Sequence, residues 1–123
     1  MLVADDEMHI LDLLASIVEE LGHPVIRAAN GEQALRGIVE HLPSLVLTGV
    51  MMPRLRGDEL CRRVKASADT AWIAVVLITS LPRGNVDAAG ADAYIPKPFA
   101  IEQVEAVAVR FLSSGGARGG RAS

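Results

Sequence analysis

Short apolar runs alternate along this chain with stretches in which apolar residues recur every three or four positions, a pattern that predicts strands and helices in turn. Leu2 to Ala4 forms a first short strand; Glu7 to Leu21 then repeats apolar residues at Ile10, Leu13, Leu14, Ile17 and Leu21, the spacing of one helix face, and Gly22 closes it. Val25 to Ala29 is the next strand, and Asn30 is placed to cap a helix through His41 that turns Ala34, Leu35, Ile38 and Val39 inward. Leu45 to Thr48 is continuously apolar up to its threonine, as suits a central strand buried on both faces. Gly57 and Asp58 open a helix through Lys65, whose Arg62, Arg63 and Lys65 read as a solvated face, and Ile73 to Thr79 is the fourth strand. Ala93 to Ile95 is the fifth, followed by a helix from Ala100 to Leu112 with Val104, Val107, Ala108 and Phe111 on one side. Strands and helices in strict alternation build a parallel sheet covered by helices on both faces.

Two stretches break the pattern. Leu81 to Ala89 contains Pro82, Gly84 and Asn85 and leaves space for little more than one helical turn. Ser113 to Ser123 consists of Gly, Ser, Ala and Arg only, a composition that buries no apolar surface and reads as a flexible tail or a truncated linker.

Composition narrows the function classes. At 123 residues, half of them apolar and 22 % charged, the chain has material for one globular domain with a real core. The formal charge of −3 offers no basic face for nucleic acid, and the two arginines of the terminal Arg-Gly stretch are too few to change that. Cys61 is the one cysteine, so no internal disulfide forms, which agrees with a cytoplasmic location; its neighbours Leu60 and Val64 mark it as a buried helical thiol. Met1 to Ala4 runs straight into three acids, unlike a signal peptide, and the longest apolar run, Ala71 to Ile78, is far short of the ~20 residues needed to span a bilayer. His9, His23 and His41 lack metal-ligand spacing.

The informative positions are polar residues that end apolar strands. Asp5 and Asp6 follow the first strand, Thr79 ends the fourth and Lys97 follows the fifth, so all four share the carboxyl edge where open α/β sheets form their crevice. Paired acids before a helix also suit its positive end, but Thr79 and Lys97 beside them favour a pocket. Leu2-Val3-Ala4-Asp5-Asp6-Glu7, Val50-Met51-Met52-Pro53 with Gly57, Val76-Leu77-Ile78-Thr79-Ser80 and Gly90-Ala91-Asp92-Ala93-Tyr94-Ile95-Pro96-Lys97-Pro98-Phe99 together resemble the receiver domain of two-component response regulators.

That resemblance covers residues 1–112 and implies a flavodoxin-like, doubly wound five-stranded parallel sheet of order 2-1-3-4-5, with the fourth helix shortened or absent at Leu81 to Ala89. It places the phosphate-accepting aspartate of the family at Gly49, which has no side-chain oxygen. It also implies a Mg²⁺ site of Asp6, position 49 and the Met51 backbone carbonyl, weakened here by loss of one anionic ligand. Thr79 is implied as the switch hydroxyl, Tyr94 as the aromatic that follows it or else an ordinary strand residue, and Lys97 as the phosphoryl-sensing lysine, which without phosphate would pair with Asp5 or Asp6. A cis bond at Lys97-Pro98 is a further family tendency.

Two functions compete. The first is a non-enzymatic binding module, a pseudo-receiver acting through protein contacts with a histidine kinase, an output domain or a second copy of itself. The second is a receiver phosphorylated at a substitute residue, Asp5, Asp6 or Thr48, although a strand-end threonine is usually structural. A flavin- or nucleotide-binding domain ranks behind both, because no glycine-rich loop follows the first strand. If the pocket is otherwise intact, Gly49→Asp is expected to restore Mg²⁺ binding and phosphate acceptance.

Overall fold

A computed structural model describes the backbone of residues 1–80 and 90–122 and the side chains of residues 1–80 and 90–112. Five strands, β1 (Leu2–Ala4), β2 (Ile26–Ala28), β3 (Leu45–Gly49), β4 (Ala74–Thr79) and β5 (Ala93–Pro96), pair in parallel in the order β2-β1-β3-β4-β5. The helices among the described residues are α1 (Met8–Glu20), α2 (Gly31–His41), α3 (Gly57–Ala66) and α4 (Ile101–Ala122). This is the doubly wound, flavodoxin-like order expected. The shortened or absent helix expected at Leu81 to Ala89 lies outside the described residues.

β3 and β4 are buried at every position, and strand alternation divides their side chains between two cores. Val46, Val75 and Leu77 pack with Ala34, Ile38, Leu60 and Val64 beneath α2 and α3; Leu45, Leu47, Val76 and Ile78 pack with Leu14, Val18, Val104 and Ala108 beneath α1 and α4. α2 starts as its sequence suggests: Asn30 Oδ1 accepts the Gln33 N–H at 2.9 Å, and Gln33 Oε1 accepts the Ala29 N–H at 2.9 Å.

Three local expectations are corrected. Val39 does not turn inward; it is 64 % exposed and Leu35 is half-buried, while Gly31, Ala34, Gly37 and Ile38 form the buried stripe of α2. Small residues allow that rotation: a β-carbon at Gly37 would lie 2.8 Å from Leu2 Cδ1, so the glycine gives the Leu2 side chain its place beneath α2. Lys65 is not a solvated residue. Its Nζ donates to the Ile73 carbonyl at 2.6 Å and pairs with Asp92 Oδ2 at 2.8 Å, and that oxygen also accepts the Val75 N–H, so a long flexible stem ties α3 to β4 and to the start of β5. Arg62 and Arg63 do stay on the exposed face, paired with Glu59. Finally, the last helix does not stop at Leu112 but continues in its backbone to Ala122. Ala and Arg favour helix, and each glycine there costs about 1 kcal/mol without forbidding it.

Cys61 is fully buried in α3, and burial pushes its thiol up to about 11 against the opposing pull of Lys65. Iodoacetamide at pH 8 is therefore expected to modify the folded chain at least about 100-fold more slowly than the urea-unfolded chain, read by intact mass. Equal rates would contradict the burial.

Candidate functional site

The parallel register brings four chain segments level at the carboxyl edge: Ala4 pairs with Thr48, Gly49 with Ile78 and Thr79 with Pro96. Asp5 leaves β1 with its N–H donated to the Ala28 carbonyl at 3.1 Å, and Lys97 leaves β5 with its N–H donated to the Thr79 carbonyl at 3.0 Å. The strand ends thus fix where both side chains start. The Lys97-Pro98 bond is cis.

Asp5 is 1 % exposed, and both its oxygens are engaged. Oδ1 accepts the Glu7 N–H at 3.0 Å, and Oδ2 accepts from Lys97 Nζ at 3.1 Å. Lys97, whose side chain is 23 % exposed, also lies 3.5 Å from Glu7 Oε1. Of the two partners the sequence allows for this lysine, the structure selects Asp5. Asp6 is exposed and makes no ion pair with the described residues.

Gly49 explains where the Asp5 carboxylate goes. A β-carbon at position 49 would sit 2.9 Å from Asp5 Oδ2 and 3.4 Å from its Cγ, so Asp5 leans into the space that any side chain there would need. Gly49 is held from the other side by Gly57, where a β-carbon would lie 1.8 Å from the Gly49 carbonyl oxygen, and whose N–H donates to Val50 at 2.8 Å. Glycine at 57 is therefore what lets α3 begin against the end of β3.

The other candidates divide. Thr48 is fully buried, and its hydroxyl donates to the Gly49 carbonyl at 2.9 Å and toward Met52 Sδ at 3.8 Å. Thr79 is 7 % exposed, and Tyr94 is half-buried against the core beneath α2 and α3. Met51 stands 59 % exposed in the loop between β3 and α3. Asp5 is committed to Lys97 and Gly49 has no side-chain oxygen, so of the cation ligands that the receiver resemblance implies, the Asp6 carboxylate and the Met51 carbonyl are left. One carboxylate and a carbonyl with several waters is a thin but chemically suitable set for Mg²⁺.

Sequence reasoning missed one feature of this rim. Arg56, immediately before α3, grips Asp58 with Nε to Oδ1 at 3.0 Å and Nη2 to Oδ2 at 3.1 Å, and Asp58 Oδ1 also accepts the Glu59 N–H. Burial works to raise the Asp58 carboxyl, but the bonds and charge of Arg56 outweigh it and hold the group below its ordinary value. An acid in the first helical turn with an arginine two residues earlier was the available signal.

The model of the response regulator receiver domain matches residues 1–109. The chain belongs to the response regulator receiver domain family. This receiver is 37 % identical over 105 residues to Response regulator MprA of Mycobacterium sp. (strain KMS), an alignment covering 84 % of this chain and 46 % of that protein. The chain spans less than half the length of the curated relatives it matches. Among solved structures, the signal receiver domain of a signal transduction histidine kinase from Syntrophus aciditrophicus is 33 % identical with a TM-score of 0.85, over 92 % of this chain and 89 % of that one. The receiver domain of sensor histidine kinase PA1611 from Pseudomonas aeruginosa PAO1, which has magnesium coordinated in its active site cleft, shares the fold at 22 % identity and a TM-score of 0.84, over 91 % of this chain and 95 % of that one. Receivers are modules of two-component signalling. Among the described residues no helix of this receiver is long and apolar enough to cross a membrane.

Proposed function

We propose that this receiver is a pseudo-receiver, a cytoplasmic, non-enzymatic binding module that signals through protein contacts without phosphorylation at position 49. One observation carries the reading: an oxygen of the Asp5 carboxylate, which is paired with Lys97, lies 2.9 Å from where a β-carbon at position 49 would stand, so a side chain there would have to displace it. The lysine that would sense a phosphoryl group already has an internal anion. The partner is a histidine kinase, an output domain or a second copy of the chain, since receivers work with the first two. Mg²⁺, by analogy with the magnesium-bound PA1611 receiver, would be held here by Asp6 and the Met51 carbonyl, more weakly for want of a second free carboxylate.

Exposure of Asp6 favours one alternative, a receiver phosphorylated at that substitute acid. Asp5, buried with both oxygens bonded, and Thr48, buried with its hydroxyl donated to a carbonyl, are poorer acceptors. Incubation with acetyl phosphate and Mg²⁺ followed by intact mass separates the two readings. No added phosphoryl group is expected; a Mg²⁺-dependent gain of one, mapped to Asp6, would replace the proposal with its alternative.

A further inference from the structure

Beside the pocket, the loop between β3 and α3 presents a thioether to a fixed cation. Met51 is 59 % exposed, and Arg56 Nη1 donates to its Sδ at 3.2 Å. The guanidinium is not free to wander, because its other two nitrogens are bonded to Asp58, a residue 5 % exposed in the first turn of α3. The fork that holds Asp58 thereby aims Nη1 at the sulfur, while more than half of Met51 stays open to solvent.

We propose that Met51 is a peroxide-sensitive modification site, oxidised to the sulfoxide and retained by Arg56. A sulfur lone pair attacks one oxygen of hydrogen peroxide, the O–O bond breaks, and the proton of the transferred oxygen passes to the departing hydroxide to give water. Sulfur is oxidised by two electrons and the peroxide reduced by two. As the O–O bond breaks, negative charge develops on the departing hydroxide and, once the proton has passed to it, rests on the sulfoxide oxygen; the adjacent guanidinium stabilises both. The sulfoxide oxygen is also a far stronger acceptor than the thioether, so Arg56 would bridge the oxidised loop to Asp58 through a charge-assisted hydrogen bond. Met51 stands two residues beyond Gly49, the last residue of β3, so a redox input there acts beside the strand end that faces Asp5. The assignment does not depend on whether any acid in the pocket accepts phosphate.

The chain carries its own control. Met8, at the start of α1, is 58 % exposed, matched to Met51, whereas Met52 is 7 % exposed. Dilute hydrogen peroxide followed by peptide mapping is expected to oxidise Met51 about two- to fivefold faster than Met8 in the native chain, the size of effect an exposed charge supplies. The two rates should become equal in urea, and Arg56→Gln should remove the native difference; Arg56→Lys, which keeps the charge but loses the fork, should retain only part of it. Equal native rates, or a preference that survives unfolding, would overturn the assignment. If Arg56→Gln does not fold, the comparison of native with urea-unfolded wild-type chain decides the matter alone.

Discussion

Gly49→Asp is expected to fold less stably than the wild-type chain when magnesium is withheld, and to recover that stability when magnesium is supplied. The new β-carbon would start 2.9 Å from Asp5 Oδ2, so Asp5 must yield, yet Lys97 and the Glu7 N–H hold it where it is. Forcing a larger side chain into filled space costs about 1–3 kcal/mol. Here the added group is also a second carboxylate competing for one ammonium, which brings like charges together. A divalent cation held by the new carboxylate together with Asp6 and the Met51 carbonyl would neutralise the added charge, and binding to the folded state alone adds stability in proportion to the logarithm of its concentration. Urea unfolding in EDTA and in millimolar Mg²⁺ reads the effect directly: a large magnesium response in the variant and little in the wild-type chain. A Gly49→Asp chain as stable as wild type in EDTA would show that Asp5 does not block position 49. Simple restoration of a phosphate-accepting pocket, which the sequence suggests, therefore meets an obstacle that only the side-chain geometry reveals.

The elements were legible because their signals are local. A parallel strand buried on both faces announces itself as an apolar run, as Leu45 to Leu47 and Val75 to Ile78 do, and Asn30 with Gln33 encodes the start of α2 by side-chain chemistry alone. The convergence of Asp5, Gly49, Thr79 and Lys97 on one edge also follows from chain order, since every strand of a parallel sheet ends on the same side. What stayed hidden depends on contacts between distant segments. Whether Lys97 reaches Asp5 or Asp6 is decided by which acid is buried, and neighbouring carboxylates look identical in a sequence. Val39 lies outward because Gly37 lets α2 settle on Leu2, a consequence of a missing side chain rather than a present one. Lys65 sits among arginines on a polar helix face, and nothing short of the position of Asp92 shows that it turns back to the sheet.

Lys97→Met and Asp5→Asn should destabilise unequally, and the inequality tests whether the ion pair holds the pocket. Lys97→Met fills the stem's volume but leaves the Asp5 carboxylate, 1 % exposed, without its cation. Stranding one member of a buried pair costs about 3–5 kcal/mol, reduced here because Glu7 N–H still donates to Asp5 and position 97 is partly open to water, so about 2–4 kcal/mol is expected. Asp5→Asn strands nothing of comparable cost. Its carbonyl oxygen can still accept from Glu7 or Lys97, and the lysine, partly exposed and 3.5 Å from Glu7 Oε1, retains an anion, so a loss of about 1–2 kcal/mol is expected. Urea denaturation of the two variants and of the double variant measures both single costs and their coupling. Large coupling with the lysine change the more damaging is the result that fits a locked pocket. Additive, small effects would mean that the pair merely coincides in space, and that Phe99 and the rest of the segment leading into α4 are positioned by apolar packing against the second core instead.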